Sequence, residues 1–200
     1  MNDLAYDLAV TGRDSTIVQE LVRHLDNDED AVVEMHDADN IPIVSRYLLC
    51  AGVIRPKQLK DQSRHEIAET LAVNLIRPMH LCDAILARNE HARICVIGSE
   101  SGYTWSFDGA YAAAKSALHR YVETKKLLPT QQLICIAPSI IEDSGMTRAR
   151  TDYENLERRR QSHPKKRFLT AAEVARLVHF VLYQDEGYLS GQVIRMNGGV

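Results

Sequence analysis

A chain of 200 residues, 45% of them hydrophobic and 26% charged, has the length of one domain with a single core and the composition of an ordinary globular protein. Its formal net charge of -3 at pH 7 gives no electrostatic reason to expect nucleic acid or an anionic membrane as partner. No apolar run approaches the ~20 residues needed to cross a bilayer, and Met1-Asn2-Asp3 lacks the basic start and apolar stretch of a signal peptide.

In chain order, short β-branched runs alternate with helical patterns, as in an α/β protein whose parallel sheet is covered by helices on both faces. A strand at Leu8-Ala9-Val10 turns at Thr11-Gly12 into a helix through Ile17, Leu21, Val22 and Leu25. A second strand spans Ala31 to Met35, and a third runs through Tyr47-Leu48-Leu49-Cys50 to Ala51-Gly52. Only about ten residues join these two, too few for a crossover helix plus another strand, so the sheet is shortened at one edge to about six strands. A long helical pattern covers Glu66 to Asn89 with Pro78 inside it, and the strand Arg93 to Ile97 then ends at Gly98-Ser99. A helix from about Tyr111 to Leu128 follows, then the strand Leu133 to Ala137, stopped by Pro138. Glu142 to Lys166 is polar and charge-rich and reads as a partly helical, mobile lid on a single 1–200 domain. Thr170 and Glu173 form a capping box for a helix to Tyr183, and Val193 to Met196 is the last strand. Cys50, Cys82, Cys95 and Cys135 are widely spaced in apolar segments, which fits buried thiols in a cytoplasmic protein. The basic runs Arg158-Arg159-Arg160 and Lys165-Lys166-Arg167 read as solvated surface. His36, Asp37 and Asp39 lack a partner at ligand spacing, so no metal is expected.

Tyr111 and Lys115 lie four apart on one helix and therefore share a face. A phenol near pKa 10 is a poor acid or base at neutral pH, and a neighbouring ammonium is expected to pull it toward the working range. Ser99, just past the end of a buried strand, can donate to a carbonyl oxygen while the tyrosine supplies a proton; Ser101 competes for this role, and Gly102 favours Ser99. Pro78 cannot donate to the carbonyl four residues earlier, which frees that of Asn74. Trp105 and Phe107 read as lining a substrate pocket or a subunit contact.

The string Ile97-Gly98-Ser99, then Tyr111-Ala112-Ala113-Ala114-Lys115-Ser116-Ala117-Leu118, resembles the catalytic segment of the short-chain dehydrogenase/reductase family. Cys50-Ala51-Gly52 is similar to that family's Asn-Asn-Ala-Gly strand end, and Ala72-Val73-Asn74-Leu75 to the segment of its fourth catalytic residue. Ile136 to Ile141 is similar to its Pro-Gly turn, and Tyr188 to Gly199 to its closing strand, so the likeness covers about residues 46 to 200. It implies a Rossmann-type fold and hydride transfer between a nicotinamide and a small carbonyl/alcohol substrate. Tyr111 would be the acid/base, Ser99 the carbonyl polariser, Lys115 the ribose anchor and Asn74 the holder of a relay water. A homodimer or homotetramer through the two long helices is also implied.

Val10 to Val18 resembles a nucleotide-binding turn that keeps only its first glycine, Gly12; Ser15 or Thr16 stands at the second and Val18 at the third. The implied cofactor contacts are Gly12, Ser15, Ile17, Asp37, Ala51, Gly52, Tyr111, Lys115, Pro138 and Ile141. Weak binding is expected, with NAD preferred over NADP because Asp37 ends the second strand. A second registration takes Tyr6 to Asp14 as the family's second strand, with Arg13 facing a 2'-phosphate. Two rival functions share the scaffold: a non-redox binding or regulatory protein, and an isomerase or dehydratase.

Overall fold

Alternate residues of a strand face opposite sides, so strands apolar at every position are covered on both. The computed structural model, which describes residues 7–25, 32–55, 57–104, 106–185 and 187–200, shows this arrangement. Strands β1 (Leu8–Thr11), β2 (Val32–Glu34), β3 (Arg46–Leu49), β4 (Arg93–Ile97), β5 (Gln132–Pro138) and β6 (Gln192–Met196) form one parallel sheet in the order β2-β1-β3-β4-β5-β6. β1 lies inside the sheet, with Val10 opposite Glu34 on one side and Leu48 on the other. That position rules out the registration that made it a second strand.

The helices are α1 (Thr16–His24), α2 (Arg64–Leu71), α3 (Arg77–Arg88), α4 (Ser101–Thr104), α5 (Gly109–Thr124), α6 (Gly145–Arg148), α7 (Tyr153–Ser162) and α8 (Ala171–His179). On one face Leu8, Val10, Leu48, Ile134 and Ile136 pack under Ile17, Val18 and Leu21 of α1 and Val174, Ala175 and Val178 of α8. On the other, Ala9, Tyr47, Leu49, Ile94, Val96 and Leu133 meet Leu81, Cys82 and Ile85 of α3 and Leu118 and Val122 of α5. The result is a three-layer, doubly wound fold.

Several boundaries differ from those read in the sequence. The long helix starts at Arg64, because Ser63 and Glu66 form a capping box, and it relaxes into a π turn over Ala72–Ile76. There the Arg77 N–H reaches Ala72 O, and Pro78 enters the next helical stretch where its missing N–H is tolerated. α5 starts two residues before Tyr111 and ends at Thr124, short of Leu128. The connection from β2 to β3 has no helix and is tied to α3 from outside: Arg77 donates to His36 O, Arg88 to Ala38 O (2.9 Å) and Asn89 to Val44 O (2.8 Å). The charge-rich 142–166 segment forms α6 and α7, neither with a buried residue. It is fastened by Arg160 to Glu142 (2.7 Å) and by the Ala171 N–H to Asp143 (2.8 Å).

Candidate active site

In an open α/β sheet, ligands collect beyond the carboxyl ends of strands where the strand order reverses. Here that point lies between β1 and β3. Gly12 has φ +71°, and a Cβ on it would stand 3.0 Å from the Ala51 backbone, so only glycine lets the two strand ends approach. Thr11 Oγ1 locks them together by accepting from the N–H groups of Cys50 (3.0 Å) and Ala51 (3.1 Å). Ser15 caps α1, its Oγ accepting from Ile17 N (3.3 Å) and from the Cys50 thiol (3.2 Å). A Cβ on Gly52 would lie 3.1 Å from Asn74 Oδ1. Asn74 is fully buried and donates to the carbonyls of Val53 (2.8 Å) and Thr70 (2.9 Å), fixing the end of β3 against the helix.

Beyond β4, Ser99 is buried, and its Oγ accepts the Ser101 N–H (3.1 Å), which leaves its own proton free to donate. Tyr111 sits on the first turn of α5 because Asp108 caps that helix, its Oδ1 accepting from Tyr111 N at 3.1 Å. Asp108 itself is buried and also accepts from Arg55 N (2.7 Å) and Gln62 Nε2 (2.9 Å). Lys115 follows one turn later, buried, with Nζ 5.7 Å from the centre of the Tyr111 ring. Pro138 closes β5, its carbonyl accepting from Glu100 N (2.8 Å), and Ile141 bridges to Leu169 on the same rim. Ser99, Tyr111, Lys115, Asn74, Ala51, Gly52, Gly12 and Ser15 thus share the carboxyl end of the sheet.

Four details correct the sequence reading. The Tyr111 phenol is not brought toward neutral pH beside Lys115, whose Nζ donates to Ile97 O at 2.8 Å. Burial pushes Tyr111 up, only partly offset by the neighbouring Ser99 hydroxyl, and the same burial pulls Lys115 down to about 8. Val18 does not crowd the phosphate approach, because its side chain points into the core under the sheet. Asp37 lies beyond the strand end in a turn, where its Oδ1 accepts from Asp39 N (3.0 Å) and Asn40 N (3.1 Å). Glu34 ends β2 instead and accepts the Arg13 N–H at 3.2 Å, while the Arg13 guanidinium donates to Val32 O at 2.7 Å. Trp105 lies outside the described residues, and Phe107 is 61% exposed. The sequence reading also passed over Asp108, although an Asp three residues before Tyr111 at a helix start carries an N-cap signal.

A parallel sheet with its order reversing at β1, and buried Ser, Tyr and Lys side chains beyond β4 and on α5, defines a Rossmann-type domain with polar side chains gathered at the strand ends. A family profile described as enoyl-(acyl carrier protein) reductase matches residues 26–200. The chain belongs to the short-chain dehydrogenase/reductase family. It is 30% identical over 184 residues to the 3-oxoacyl-[acyl-carrier-protein] reductase MabA of Mycobacterium bovis, covering 86% of this chain and 73% of that protein. It is 28% identical over 157 residues to the 3-oxoacyl-[acyl-carrier-protein] reductase FabG of Buchnera aphidicola, covering 75% of this chain and 63% of the relative. The chain therefore spans roughly two thirds of the length of these relatives. A 3-oxoacyl (acyl-carrier-protein) reductase from Agrobacterium tumefaciens, solved with NADP bound, superposes with a TM-score of 0.79 at 17% identity over 98% of this chain and 95% of that one.

Proposed function

We propose that this protein is a nicotinamide-dependent oxidoreductase that reduces a carbonyl to an alcohol, with 3-oxoacyl thioesters as the first substrate class to test. The observation that carries the reading is that buried Ser99 and Lys115 both neighbour the buried Tyr111, the hydroxyl of one beside the phenol and the Nζ of the other 5.7 Å from its ring, at strand ends framed by Gly12 and Gly52. Two relatives named as 3-oxoacyl reductases and a neighbour that carries NADP support it.

The residues present fit a dinucleotide. Gly12, Ser15, Ile17, Ala51 and Gly52 would line its phosphate and ribose path, Lys115 would reach the nicotinamide ribose, and Pro138 and Ile141 would flank the ring. When bound there, the reduced nicotinamide supplies the hydride. Tyr111, kept protonated by burial, gives its proton to the carbonyl oxygen as the new C–H bond forms. Ser99 donates to the same oxygen, one of its own two lone pairs being taken by the Ser101 N–H. The Asn74 carbonyl, which Pro78 cannot reach, would hold the water that reprotonates the phenol through Lys115. The N–H groups of Ile17 and Arg13 already have side-chain acceptors, which argues for weak phosphate binding. A homodimer or homotetramer in the cytoplasm completes the proposal.

The test is oxidation of NADH or NADPH with a 3-oxoacyl thioester such as acetoacetyl-CoA. Tyr111→Phe should lose turnover by roughly a thousandfold or more with an unchanged unfolding transition, since only one hydroxyl is removed. Equal turnover in Tyr111→Phe and the wild-type chain would sink the assignment.

A further inference from the structure

His119 lies eight residues after Tyr111, two turns along α5 and on the flank that carries Lys115. Its ring is only 3% exposed and sits in a slot made by two glycines. A Cβ on Gly98 would stand 2.5 Å from Nε2, and one on Gly102 would stand 2.6 Å from Cε1. The turn Gly98 to Gly102, which carries Ser99, can therefore close over the imidazole only because both positions lack side chains.

Within that turn the neighbouring amides bond to β5: Gly98 N to Ile136 O and Glu100 N to Pro138 O, both at 2.8 Å. The Ser99 N–H has a different acceptor, His119 Nε2 at 3.3 Å. Nε2 must then be unprotonated and the proton must reside on Nδ1, which is buried without a hydrogen-bond partner. An unsatisfied buried donor is costly, and an apolar side chain of similar size would avoid it. The outer face of the ring stacks on Tyr103 (centroids 4.9 Å apart, 30° between planes). Arg195 lies over the Tyr103 ring, 4.5 Å from its centre, and is paired with Glu100. The charged groups facing the imidazole are thus Lys115, Glu100 and Arg195.

We propose that His119 is a positioning residue for carbonyl reduction: its neutral imidazole holds the Ser99 N–H and so fixes the Ser99 hydroxyl beside Tyr111. This rests on the oxidoreductase reading. The imidazole touches no reacting atom and acts through the Ser99 backbone. Burial holds it down to about 4, so it stays neutral at physiological pH and keeps its acceptor.

The experiment compares His119→Leu and His119→Gln with the wild-type chain. Leucine fills the slot without an acceptor, whereas glutamine carries a side-chain oxygen to about the position of Nε2. His119→Leu should lower kcat by about tenfold or more with the KM for the nicotinamide unchanged, and His119→Gln should restore most of the loss. The unfolding transition of His119→Leu should stay in place, since one unsatisfied group is exchanged for another. Wild-type kcat in His119→Leu, or equal slowing of both variants with a matching loss of stability, would overturn the proposal. A second measurement needs no turnover: nitrogen-resolved NMR of the histidine rings should place the His119 proton on Nδ1, and a proton on Nε2 would also overturn it. Lack of turnover in the wild-type chain would count against the oxidoreductase reading instead, leaving the tautomer to decide the His119 contact.

Discussion

Burial acts on the two titrating groups of the site in opposite senses, raising the Tyr111 phenol and lowering the Lys115 ammonium to about 8. If Lys115 anchors the ribose, it does so with charge-assisted bonds below that pH and with weaker neutral ones above it. NADH affinity should therefore fall several-fold as pH rises from about 7 to about 9, and Lys115→Met should bind weakly with little pH dependence. Calorimetric titration across that range checks this, and a wild-type affinity independent of pH would refute it. His119 has a different signature, visible in stability. Its folded-state value of about 4 lies below the 6.5 of an ordinary histidine. The unfolded chain therefore takes up the proton first, and stability is lost as pH falls through the window between those values. Roughly 2–3 kcal/mol of the loss falls between pH 7 and pH 4.5, so urea unfolding at those two values should show a shallower acid loss in His119→Gln than in wild type. Parallel losses in the two proteins would show that the group is not buried in its neutral form.

At the scale of elements, α1 shows how a motif position can change its work. Val18 stands where the family pattern has a glycine, yet its side chain belongs to the core with Leu8, Val10 and Leu21. Val18→Gly should remove a buried side chain and weaken the helix, costing about 3 kcal/mol, without tightening NADH binding. A variant that bound NADH more tightly at unchanged stability would restore the crowded-turn reading. The inner strands β1, β4 and β5 were legible because they are short runs rich in Ala, Val, Ile and Leu, buried at nearly every position. The Tyr111–Lys115 pair was legible because one helix carries both at a spacing of four. The π turn before Pro78 was not, since a proline inside a helical run is equally consistent with a kink. His119 left one local signal, its spacing on the Lys115 flank of α5. Its partner is the Ser99 amide, twenty residues away, and such a tertiary contact leaves no periodicity to read.

For the molecule as a whole, losing the outer strand beyond β2 makes β2 an edge and brings acidic side chains to the end where an adenosine ribose would lie. Glu34 closes that strand, and Asp37 and Asp39 follow in the exposed turn. Arg13, the cation nearest a 2'-phosphate in the sequence reading, has its guanidinium on Val32 O and its N–H on the Glu34 carboxylate. A 2'-phosphate would therefore enter beside carboxylates, with the nearest arginine already engaged. Charges about 4 Å apart near a protein surface interact by a few kcal/mol at most, and solvent screening reduces this further. An NADH preference of about tenfold over NADPH is the expected size, even though the Agrobacterium neighbour carries NADP. The preference should shrink as salt is raised and narrow in Glu34→Gln, which removes one charge and keeps an acceptor for the Arg13 N–H. Competitive titration of NADH against NADPH at low and high ionic strength measures both effects. Tighter NADPH binding in the wild-type chain would mean that Arg13 leaves β2 to meet the phosphate, and the repulsion argued from Glu34 and Asp37 would fall with it.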